Sequence, residues 1–252
     1  MFTRENIDFE DSLLIDSIVD NPELLKKSIV DSIFILASEM AKEIGIKSLS
    51  QIVIRRCILF DGQRGSVNRV DGELQLSYKT AINLTRPENA KKYSQALITL
   101  RHELIHLYDR EMLYLKLCQN SSHNVEAGYS IWTEFHATYS TFDIMEDMEL
   151  CDDFETVFTK GGDKKYYLSR LLGYYLHSEH SKRCEQLINY KIGKQTVLDI
   201  VKILKKMIVV YPQIPADDLV VLNETTEAVL NKPMEFGREI SILELIKKAK
   251  KE

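Results

Sequence analysis

The stretch Thr99-Leu100-Arg101-His102-Glu103-Leu104-Ile105-His106-Leu107-Tyr108-Asp109 constrains this chain more than any other. His102 and His106 stand four residues apart, with Glu103 beside the first. Each residue of an α-helix turns about 100°, so residues four apart lie within roughly 40° of one another on one face. Two imidazoles so placed can chelate a single zinc ion. Glu103 is then close enough to take a proton from a water that the metal activates. Leu97, Leu100, Leu104, Ile105, Leu107 and Tyr108 give the segment an apolar side, so its polar groups border a core and need partners there.

Catalytic zinc takes three protein ligands and leaves one position for water. Candidates for the third are Glu134, His136, His123, Asp109 and Glu126. Glu134 is preferred, because the chain between it and His106 is long enough for one helix to end and a second to return antiparallel. It is embedded among Ile131, Trp132 and Phe135, and its helix neighbours Ala137, Thr138 and Thr141 are small enough for close packing. A carboxylate in such company needs a cation: the metal, or an ion pair with Arg101. Asp109 shares the face of the two histidines and suits a carboxylate that orients a ligand imidazole, with direct ligation or a plain salt bridge as alternatives. His123 and His136 can each face an oxyanion or serve structure alone. The same choice holds for His177 and His180 beside Tyr174 and Tyr175.

The remaining pattern predicts an α+β, mostly helical fold. Residues 8–21 suit a short amphipathic helix. Asn21-Pro22-Glu23 then opens a long one, with Leu25, Ile29, Ile33, Leu36, Met40 and Ile44 as a single buried stripe ahead of Gly45. Ile52-Val53-Ile54, Cys57-Ile58-Leu59-Phe60 and the alternating Glu73–Tyr78 are strand-prone, with turn signals at Asp61-Gly62 and Asp71-Gly72. Together they predict a small antiparallel sheet beside the His102–His106 helix, with Glu73–Tyr78 as an edge able to pair with a peptide backbone. That helix is expected over about 88–118, entered through Thr85-Arg86-Pro87-Glu88. Further helices are expected over 124–149, 164–190, 197–210, 217–230 and 239–250. The organisation expected is a single domain over 1–252, with a core at about 50–150, N-terminal helices at 8–44 and a helical extension over 164–252.

Composition narrows the setting. With 252 residues, 44% hydrophobic and 28% charged, the chain is long enough for one substantial globular domain. A net charge of −5 argues against general nucleic-acid binding. No apolar run reaches the roughly 18 residues of a membrane span, and Met1–Asn6 lacks the basic start and apolar core of a signal peptide. Cys57, Cys118, Cys151 and Cys184 are scattered without a CxxC pair, which reads as buried thiols of a reducing, cytoplasmic compartment.

His102-Glu103-Leu104-Ile105-His106 followed by Glu134-x-x-Ala137 resembles the glutamate-zincin arrangement. Two groups within it look similar over roughly residues 73–142. One is the ImmA/IrrE-type bacterial and phage metallopeptidases. The other is the mitochondrial processing peptidases that mature an ATP synthase subunit, which carry a stretch like His102–Asp109. The resemblance implies a zinc-dependent endopeptidase acting on a protein or peptide, with His102, His106 and Glu134 as metal ligands and Glu103 as general base. The alternative it implies is a regulatory protein of a phage or stress-response system that keeps the fold and cleaves little or nothing. Oligomeric state is not written in the sequence.

Overall fold

The computed structural model describes residues 2–10, 21–56, 64–119, 121–141, 163–177 and 194–231. Helix α1 (Pro22–Ile44) forms as its sequence dictates. The Asn21 side chain accepts from Leu24 N, Pro22 occupies the first turn, and Gly45 ends the helix in the left-handed conformation at φ 90°. Ile29, Ile33, Ala37 and Ala41 are its buried stripe.

Among the described residues four strands make one sheet: β1 (Ile7–Phe9), β2 (Ile52–Arg55), β3 (Gly65–Val67) and β4 (Leu74–Ser77), in the order β1-β2-β4-β3. The sheet is mixed rather than antiparallel. β1 runs parallel to β2 and β2 parallel to β4, and only the β3–β4 pair is antiparallel. α1 lies between β1 and β2 in the chain and supplies the long crossover that a parallel pair requires. Glu73–Tyr78 was expected at an edge, but β4 lies between β2 and β3, and β3 is the outer one among the described strands. Ile7–Phe9 is extended where a helix from residue 8 was expected, and the rest of that segment, 11–20, lies outside the described residues. So do Cys57–Phe60, Asp61-Gly62, Cys151, Cys184, His180 and the helix at 239–250.

The parallel register places Ile52 beside Leu74 and Ile54 beside Leu76, so these four side chains share one face, and all four are fully buried. They join the α1 stripe and Ala96, Leu100, Leu104 and Leu107 in one apolar core. The last four belong to α3 (Ala90–Asp109), which follows the short α2 (Tyr78–Asn83). Its N-cap is Asn89, which accepts from Lys92 N, so Pro87 precedes the helix rather than opening it. Beyond Asp109 the winding widens into a π-helical stretch, Arg110–Cys118. There Arg110 donates through Nε to Arg69 O (2.7 Å) and through a terminal nitrogen to Val70 O (2.6 Å), pinning the β3–β4 turn. The Glu111 carboxylate accepts from Lys47 N and Ser48 N after α1.

Helices α4 (His123–Ser140), α5 (Lys164–Leu176), α6 (Lys194–Val210) and α7 (Ala216–Leu230) complete the described chain, which is thus mostly helical. Contacts sort it into two compact units, Met1–Ser122 with His136–Asp143, and His123–Phe135 with Ile144–Glu252. In the second, α6 packs on α7 and α5 on α7. Asn223, buried on α7, accepts from Lys165 Nζ (2.9 Å) and donates to Asn124 (3.3 Å). Lys165 also reaches Glu227 at 2.6 Å and, with its hydrogen bond as the larger cause, holds that carboxyl below the usual range. No helix among the described residues is long and apolar enough to cross a membrane. Cys118 is buried.

α4 meets α7 at Gly128, where an added Cβ would lie 2.0 Å from the Leu219 carbonyl oxygen. Alanine gains about 1 kcal/mol over glycine inside a helix. A clash with backbone outweighs that, because two helices must separate to relieve it. Gly128→Ala should therefore destabilise the protein by about 3 kcal/mol or more in urea unfolding, against the usual 1–3 kcal/mol of an overpacked core. A neutral or stabilising outcome would contradict this packing.

Candidate metal centre

On α3 the buried stripe Leu100, Leu104 and Leu107 fixes which way everything else points. His102 and His106 each lie two positions after a stripe leucine, about 200° around the helix, so both turn away from the sheet. Glu103 lies about 60° from Leu100 on the flank, and it is 6% exposed. The two imidazoles meet with Nε2 atoms 3.0 Å apart and rings at 85°. Glu134, on α4, brings its carboxylate to the same place: one ligand atom from each of His102, His106 and Glu134 lies within 4.8 Å of the others. All three side chains are half-buried. Among the described residues this is the one grouping of metal-ligating side chains.

The donor set suits zinc. Two imidazole nitrogens and one carboxylate oxygen match a known three-ligand catalytic set. Two nitrogens bound tetrahedrally to one zinc at about 2.05 Å stand roughly 3.3 Å apart. The observed 3.0 Å is near that separation. Arg101 does not take the place of the metal. It donates through both terminal nitrogens to the two oxygens of Glu43 (3.2 and 3.0 Å), and this pairing holds the Glu43 carboxyl below the usual range.

Other sequence candidates fall elsewhere. Asp109 is fully buried, and its Oδ1 lies 2.8 Å from Nδ1 of His136, which is not in the His102–His106–Glu134 cluster. The remaining third-ligand candidates, His123 and Glu126, stand in the first turn of α4 and are not in the cluster, and His123 lies near enough to Glu227 to act on its charge. Tyr174 is buried in α5, and His177 follows that helix.

Two residues that bear on the site were not legible as such. Thr141, expected only to be small, places its hydroxyl 3.4 Å from Nδ1 of His102. Gly65, in β3, lies directly on Glu103: an added Cβ would stand 2.6 Å from Glu103 Cγ and 2.8 Å from Oε1. A glycine in a three-residue strand without a motif carries no signal of that kind. Compared with models of protein families, with curated proteins and with solved structures, the chain matches none.

Gly65→Ala isolates that contact. The new methyl group meets Cγ, Cδ and Oε1 of a buried glutamate, so Glu103 or β3 must move. The expected cost is about 1–3 kcal/mol in denaturant unfolding, as for other overpacked sites. A variant as stable as the parent would show that the strand yields freely.

Proposed function

We propose that this protein is a zinc-dependent endopeptidase of the glutamate-zincin kind, acting on a protein or peptide. The observation that carries the reading is the convergence of His102, His106 and Glu134, with Glu103 beside His102 on the same helix. The likeness of His102–His106 and Glu134–Ala137 to the zincin pattern supports it, as does the place of β3 directly against the general-base candidate. A cytoplasmic setting is part of the proposal, supported by cysteines scattered without a CxxC pair.

His102, His106 and Glu134 would hold the ion. A zinc ion so held supplies positive charge that acidifies water and polarises a carbonyl. Glu103 accepts the proton of the attacking water and passes it to the leaving amine nitrogen, so one carboxylate serves as base and then acid. Its burial beside Gly65 limits the positions its carboxylate can take. β3 stands last in the order of the described strands, and an extended peptide can be held beside it by strand addition. This assigns substrate alignment to β3 rather than to β4.

Glu103→Gln keeps the shape of the side chain and removes its basicity. The expected result is unchanged zinc content with peptide cleavage lowered at least about a hundredfold, within the range general acid–base groups contribute. Cleavage is read by mass spectrometry on an unfolded protein substrate. An active Gln variant contradicts the assignment of Glu103. Zinc bound by a wild-type chain that cleaves nothing favours the regulatory alternative.

A further inference from the structure

We infer that Thr141 is a positioning residue that selects the tautomer of His102 and so makes its Nε2 available to the metal. The inference rests on His102 being a metal ligand.

A neutral imidazole carries a proton on one nitrogen and a lone pair on the other, and only the lone pair can bind a metal. For His102 the two nitrogens face different neighbours. Nε2 lies 3.0 Å from Nε2 of His106, another member of the metal-ligating group. Nδ1 faces the Thr141 hydroxyl at 3.4 Å. What this hydroxyl offers at Nδ1 therefore biases where the imidazole proton sits.

The end of α4 supplies the answer. The last carbonyls of a helix lack intrahelical donors. Here the Thr141 N–H bonds to Thr138 O rather than to Ala137 O, and the Thr141 hydroxyl donates its proton to Ala137 O at 2.6 Å. A carbonyl can only accept, so the hydroxyl proton is committed. Thr141 then turns lone pairs toward His102 and can only accept from it. Nδ1 of His102 must carry the hydrogen, and Nε2 is left with the lone pair. Thr141 itself is 8% exposed, so water competes little for either bond. Its β-branch restricts side-chain rotation and helps keep the oxygen in place. An orphan carbonyl at a helix end thereby determines which nitrogen of a histidine on another helix faces the metal.

The test compares wild type, Thr141→Val and Thr141→Ser. Valine keeps the shape and removes the hydroxyl, whereas serine restores it. Zinc affinity is measured by competition with a chromophoric chelator. In parallel, the His102 tautomer is read in metal-free protein by long-range nitrogen–proton NMR on histidine-labelled samples. The expected result is a 10–100-fold loss of zinc affinity in Thr141→Val, the range that partners behind metal ligands contribute, with Thr141→Ser close to wild type. His102 should be protonated at Nδ1 in wild type and Thr141→Ser, and redistributed toward Nε2 in Thr141→Val. A role confined to capping Ala137 would lower melting temperature without moving the tautomer, and that result overturns the inference. So does a Thr141→Val variant that binds zinc like wild type. A wild-type chain that takes up no zinc instead overturns the metal centre, whatever the NMR arm shows.

Discussion

Everything at the candidate site depends on how α3 lies against the sheet. Ile52, Ile54, Leu74 and Leu76 present one fully buried face, and α3 contributes Leu100, Leu104 and Leu107 to the same core. Burying a leucine is worth about 1.5–3 kcal/mol. Rotating α3 to turn the histidines elsewhere would expose several at once. The apolar stripe thus fixes the direction of His102, His106 and Glu103 without any contact made by those residues themselves. Helix periodicity converts core packing into the placement of these side chains.

The polar groups beside that core each meet a specific demand. Asp109, fully buried, would be costly as a lone charge, and His136 meets it at 2.8 Å. Arg110 leaves the same helix to hold the β3–β4 turn through two carbonyls, which steadies the strand that lies on Glu103. Thr141 satisfies a helix-end carbonyl and faces a histidine with the same oxygen. These are short-range bonds, yet they link the turn, the strand and the helices around one pair of imidazoles.

How much of this could be read from residues alone follows from the range of each signal. α1 was legible because a cap, a proline, one stripe and a terminating glycine agree locally. The histidine pair was legible for the same reason, since four-residue spacing is a helix property. Glu134 was legible as a carboxylate in apolar company. β1 and β3 were not, because three-residue strands show no period, and Ile7-Asp8-Phe9 continues into a run that suits a helix. Edge or centre was not legible either: β4 has the alternation of a half-buried strand wherever it stands, and strand order is set by tertiary pairing. The π-helical stretch has neither proline nor glycine to announce it. The partner of Asp109 depended on where α4 returns, which no local pattern encodes.

The most direct test of the central claim is metal content of the purified protein by elemental analysis, with wild type beside His102→Ala and Glu134→Ala. The account predicts about one zinc ion per chain in wild type, as expected for a site of three protein ligands, and loss of that ion in both variants. A wild-type chain that carries no metal and takes none up on dialysis against zinc would contradict it. So would zinc retained at full stoichiometry after both substitutions.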